Sequence, residues 1–114
     1  MQVLHNLDAF ATWQGGFDYY FAHEEDEAEW DAARDSLTGI GMGEAARLFD
    51  EARTLFENHQ QALCAANWSL DEEPYLTAMR ALDIRWRPFV PALHTALADW
   101  RSERGLEEFT GTSP

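Results

Sequence analysis

Most of the side chains able to do chemistry in this 114-residue chain are carboxylates, and they are unevenly placed. Eight of them fall within an eighteen-residue stretch: Asp18, Glu24, Glu25, Asp26, Glu27, Glu29, Asp31 and Asp35. One base, Arg34, stands among them. In a helix starting near Glu25 or Asp26, three pairs become i, i+4 neighbours: Glu25 with Glu29, Glu27 with Asp31, and Asp31 with Asp35. Like charges at that spacing sit about 5–6 Å apart and cost a few tenths of a kcal/mol per pair. A sequence chosen only for helix stability would place Arg or Lys there. One reading is a solvated helix face, with acids near the positive end of the helix dipole. The other is a negative surface for a basic partner.

The other reactive residues offer less. His23 and Glu27 could chelate a metal if one helix held both. That spacing carries the alternative reading, a small enzyme or metal-binding domain using His23 and neighbouring carboxylates. No His-x-x-x-His or His-Glu-x-x-His spacing supports it. The expectation is therefore no catalytic residue, no metal and no cofactor. His23 reads as an exposed residue at a helix start, and His5, His59 and His94 as boundary residues beside apolar stripes. Cys64 stands alone, so neither an internal disulfide nor a thiolate zinc cluster can form. It reads as a small buried hydrophobe. Gly39-Ile-Gly41-Met-Gly43 has the look of a phosphate loop, but no strand precedes it and no Lys follows, so it reads as a joint between helices. Arg80, Arg85 and Arg87 are expected to pair with nearby acids.

The whole chain repeats the acidic bias. Twenty-one Asp and Glu face eight basic residues, all Arg, for a net charge of −13. Residues 1–60 hold 13 acids and 3 bases, net −10, and residues 61–114 hold 8 and 5, net −3. Nucleic-acid affinity comes largely from cations displacing counterions, so direct DNA or RNA binding is disfavoured. Anionic membranes are disfavoured for the same reason. No stretch approaches the roughly 20 apolar residues that cross a bilayer. The N-terminus lacks the basic and apolar regions of a signal peptide, which predicts a cytoplasmic protein. At 46% hydrophobic and 13% aromatic, the composition is that of a folded domain, not a disordered chain.

Helical periodicity runs throughout, with no alternating strand pattern. Residues 2–13 place Val3, Leu4, Leu7, Phe10 and Ala11 on one face, and Gly15-Gly16 stop that helix. Phe17–Phe21 is a short segment whose aromatics at 17, 20 and 21 share a face if helical. A helix to about Thr38 turns Trp30, Ala33 and Leu37 inward, ending at Gly39 and Gly41. Another runs from Gly43 to about His59, while residues 60–70 either extend it or form a turn of their own. Trp68 and Leu70 are expected to cover the core from a loop, with Asp71 capping the next helix. Trp13 and Trp68 are the tryptophans best placed for surface exposure, and Trp30, Trp86 and Trp100 read as core. Pro88 and Pro91 split the C-terminal pattern into helices of about 73–87 and 90–104. The prediction is an all-α single compact domain of five to six helices over 1–105, with 106–114 a frayed tail.

Gly15-Gly16-Phe17-Asp18-Tyr19-Tyr20-Phe21 resembles the Gly-Gly-Phe-x-x-Tyr/Phe-Phe signature of the DNA mimic protein family. The similarity continues into Leu37-Thr-Gly39-Ile-Gly41 and the helix beginning Glu44-Ala-Ala-Arg. It returns in Leu82-Asp83-Ile-Arg-Trp86 and spans roughly residues 6–104. The resemblance implies an all-helical fold and, from the family's characterised member, an acidic surface imitating DNA phosphates on a transcription factor's DNA-binding face. Ala22-His23 depart from the Asn common after the aromatic segment, residues 57–72 match poorly, and the acidic stretch is not itself a family motif. The leading expectation is a non-enzymatic interaction domain that presents its acidic face to a basic, DNA-binding protein, with pairing of two copies lengthening that face. A third reading is an immunity or accessory module.

Overall fold

The apolar spacing of the chain produces helices at nearly every place the periodicity predicts. The computed structural model describes residues 2–12 and 15–100. Helix α1 spans Gln2–Leu7 and passes into a π-helical turn, Asp8–Thr12. Helix α2 is Gly16–His23, α3 is Glu27–Gly39, α4 is Gly43–Ala65 and α5 is Glu73–Trp86. A 3₁₀ turn, Arg87–Phe89, carries Pro88, and helical backbone resumes over 90–100 as α6. There is no strand among the described residues, so the domain is all-α. No helix among them is long and apolar enough to cross a membrane.

Helix α2 is too short to persist alone. It is held between α4, α5 and the π-helical turn, with Phe17, Tyr20 and Phe21 all buried on one face. Phe17 meets Trp86 of α5 edge-on, ring centres 5.2 Å apart. Phe21 meets Trp30 of α3 edge-on at 4.9 Å and Phe56 of α4 at 5.5 Å. Offset and edge-on pairs of this kind add about 0.5–1.5 kcal/mol each beyond the area they bury. The centre of the core is thus a lattice of rings reaching from α2 to every long helix.

The joint between α3 and α4 ends α3 by a Schellman motif. Gly41 takes a positive φ of 84°. Its N–H bonds the Thr38 carbonyl at 3.0 Å, and Met42 N–H bonds the Leu37 carbonyl at 2.9 Å. Helix α4 ends the same way, with Asn67 at φ 52° bonding Cys64 and Trp68 bonding Leu63.

The structure corrects several expectations. It also decides between the two readings of 60–70, since 60–65 extends α4. Cys64 lies on its exposed side, because the buried stripe there runs through Phe56, His59 and Leu63. Trp68 and Leu70 project into solvent at 65% and 38% exposure and do not cover the core. Asp71 sits one residue before the cap, Glu72, although its Oδ1 does accept the Glu73 N–H at 3.1 Å. His23 ends α2 and starts no helix. His59 is buried, not at a boundary, because its ring stacks on Tyr75 at 3.8 Å. Trp100 is half-buried against His5. The expectation for Trp13 and the one for the tail 106–114 lie outside the described residues.

Candidate functional site

The eight carboxylates gather around the joint between α2 and α3, but three structural elements hold them. Asp18 is in α2; Glu24, Glu25 and Asp26 form the joint; Glu27, Glu29, Asp31 and Asp35 ride on α3. Asp26 is the N-cap of α3, its Oδ1 accepting the Ala28 N–H at 3.0 Å. A residue of this type satisfies one of the donors a helix start leaves open. The joint is tied down at its other end by Trp30, whose indole N–H donates to the Glu24 carbonyl. Glu24 N–H in turn closes α2 onto the Tyr20 carbonyl at 2.8 Å.

Apart from the capping Asp26, this arrangement sorts the carboxylates into two groups. Asp31 accepts from Arg53 of α4 at 2.6 Å and faces Arg34 at 3.7 Å. The Arg53 hydrogen bond holds the Asp31 carboxyl below its ordinary range. Asp35 pairs with Arg34 at 3.3 Å, and Arg34 also reaches Asp50 at 3.8 Å. Of these, Arg53–Asp31 and Arg34–Asp50 fasten α3 to α4. Asp18 is half-buried, and its Oδ1 accepts the Tyr75 hydroxyl of α5. Glu24, Glu25, Glu27 and Glu29 form the second group. Among the described residues no cation pairs with any of them. Glu25 and Glu27 are exposed, and Glu24 and Glu29 are half-buried.

The expected helical pair Glu25–Glu29 does not form, because Glu25 precedes α3. The pairs Glu27–Asp31 and Asp31–Asp35 do lie on α3. His23 and Glu27 are on different helices, so the one-helix chelate behind the metal reading is not made. His23 instead stacks on Tyr19 at 3.9 Å with its Nδ1 2.9 Å from the Tyr19 carbonyl. Among the described residues no three His, Cys, Asp or Glu side chains are grouped to hold a metal ion.

The signature residues of the sequence converge elsewhere. Gly15 and Gly16 lead into α2, and Leu82, Asp83 and Trp86 come from α5. Asp83 Oδ1 accepts the Phe17 N–H at 2.9 Å, capping α2 from another helix. Gly16 has a positive φ of 82°, and a Cβ there would collide with the Asp83 carboxylate. A Cβ on Gly15 would meet Tyr19 Cβ at 2.8 Å. Gly39 and Gly41 serve the α3–α4 joint. The signature therefore records how α2 docks on α5 and how α3 turns into α4.

Sequence reasoning missed a buried polar group on the far side of α2. The Tyr75 ring carries His59 on its face and hands its hydroxyl to Asp18, while His59 Nε2 lies 3.9 Å from Glu72 Oε1. Burial, followed by the Asp18 bond, drives the Tyr75 phenol well above its ordinary range. No spacing rule links residues 18, 59 and 75, so only the packing reveals the group. The expected pairing of arginines is met by Arg80 with Glu73 at 3.6 Å and Arg85 with Glu51 at 3.1 Å, whereas Arg87 makes no ion pair among the described residues.

Residues 3–104 match the family model described as DMP19-like protein. No curated protein and no solved structure matches the chain.

Proposed function

The chain belongs to the DMP19-like protein family, a DNA mimic family, and from that premise we propose that it is a non-enzymatic domain occupying the DNA-binding face of a basic protein. The observation that carries this reading is the joint between α2 and α3. Four carboxylates, Glu24, Glu25, Glu27 and Glu29, stand there without a cation among the described residues, in a chain that neutralises Asp31 and Asp35 with arginine. Unpaired carboxylates on a fixed helix start keep their field for a partner, and a field of one sign speeds encounter with the opposite sign. The proposed surface centres on these four with Asp26, and Asp31, Asp35 and Asp18 extend it at its edges. Its partner is a DNA-binding protein in the cytoplasm. Neither nucleic acid nor membrane is bound directly, because both carry the charge that this face carries. Pairing of two copies would lengthen the face.

The test is a variant carrying Glu25→Gln, Glu27→Gln and Glu29→Gln. Asp31 is left alone, because replacing it also severs Arg53. Capture of DNA-binding proteins from the source lysate at low salt should fall at least about tenfold for the variant, since close charge pairs across interfaces couple by 1.5 kcal/mol or more. Capture that equals the wild type's would remove the acidic joint from the function.

A further inference from the structure

The same joint borders a cleft whose walls are not only acidic. Two adjoining recesses, of about 610 and 410 Å³, share Glu25, Trp30, Phe56 and Gln60. Asp26, Glu27 and Glu57 line the larger one. Among the described residues no arginine or histidine lines either. The protein already shows what such walls hold. Arg53 places its guanidinium 5.2 Å from the centre of the Trp30 ring while donating to Glu57 at 2.8 Å and Asp31 at 2.6 Å. The cleft adjoins that arrangement: Trp30 and Glu57, which Arg53 engages, also line it, while Glu25 and Glu27 on its other side pair with no cation among the described residues.

We infer that this cleft seats an arginine side chain of the basic partner, an inference that rests on the function proposed above. The planar guanidinium fork matches carboxylate geometry and is more weakly hydrated than an ammonium. Its aliphatic stem can lie along the apolar walls while the head meets Glu25 and Glu27. A bare acidic surface would take lysine as readily. A cleft with Trp30 and Phe56 in its wall distinguishes the two, and this is the specificity the fold adds to its charge.

The experiment titrates the full ¹⁵N-labelled chain with a nine-residue peptide alternating Arg and Gly, and with its Lys counterpart, at low salt. The Trp30 indole N–H is a reporter inside the wall, and the exposed Trp68 indole is the control. The expected result is a saturating shift of Trp30 with Trp68 unmoved, and a preference for the Arg peptide of about fivefold or more. Glu25→Gln with Glu27→Gln should weaken Arg-peptide binding about tenfold, as loss of charge-assisted bonds does. Gln60→Phe, which fills the cleft without changing charge, should weaken it comparably. Arg-peptide binding that leaves Trp30 unmoved, ignores Gln60→Phe or shows no preference over Lys overturns the cleft while leaving the acidic surface standing. Failure of both peptides to bind at low salt overturns the cleft and the proposed function together.

Discussion

At position 16 only glycine fits. Its φ of 82° is unfavourable for any L side chain, and a Cβ would strike Asp83, the residue that caps α2 through Phe17. Gly16→Ala is expected to destabilise the domain by about 1–3 kcal/mol, from the strained backbone and the displaced cap together. Urea denaturation would check this, and a loss under half a kcal/mol would contradict the account. Asp83 itself gives a pH signature. Burial is the main cause of its raised pKa, and the Phe17 bond offsets that only in part. A carboxyl bound more tightly to its proton in the fold than in the unfolded chain stabilises fully below its unfolded value. That contribution is lost as pH rises through the folded value. Asn keeps the accepting oxygen and never ionises. Asp83→Asn should therefore gain on the wild type as pH rises from about 4 toward 7, the window just above the usual Asp value. A constant difference across that window would refute the argument. The glycine pair and Asp83 were legible in the sequence as a motif. That they touch was not, because 66 residues separate Phe17 from Asp83 and only the packing of α2 on α5 closes the gap.

Helices were the most readable level. The 3.6-residue spacing located every long helix, and Gly41 and Pro88 marked where backbone had to turn or tighten. What spacing could not resolve was the end of α4, because Asn67 fills there the left-handed position that Gly41 fills after α3. Asn tolerates that conformation and leaves no punctuation a reader would trust. Without a readable stop the exposure of Cys64 stayed hidden, whereas that of Trp68 was among the expectations. The two helix ends make opposite predictions. Gly41→Ala, with nothing within 4 Å of its added Cβ, should cost about 1–2 kcal/mol through conformation alone. Asn67→Gly should raise stability by a few tenths of a kcal/mol, since Gly adopts left-handed backbone at least as readily. Thermal melting of both variants would read this out, and changes of the same sign would show that the two ends are not equivalent.

Charge is the property of the whole molecule, and its total was plain from composition. Its division was not. Eight carboxylates looked like one patch, whereas Arg34 of α3 and Arg53 of α4 take up Asp31 and Asp35, and the α2–α5 contact engages Asp18. Arg34 stands among these acids in the sequence, but Arg53 meets Asp31 across 22 residues. What is left for a partner is the joint, whose glutamates pair with no cation among the described residues, on a face held rigid by Asp26 and Trp30. Binding through such a face should weaken steeply between about 50 and 200 mM salt, as charge-driven association does. The most direct test loads DNA-binding proteins of the source organism on duplex-DNA resin and elutes with this protein at fixed low salt. The account predicts that the wild type releases a discrete DNA-binding protein, and that the chain with Glu25→Gln, Glu27→Gln and Glu29→Gln releases none of it. Release by both chains alike, or by neither, would contradict it.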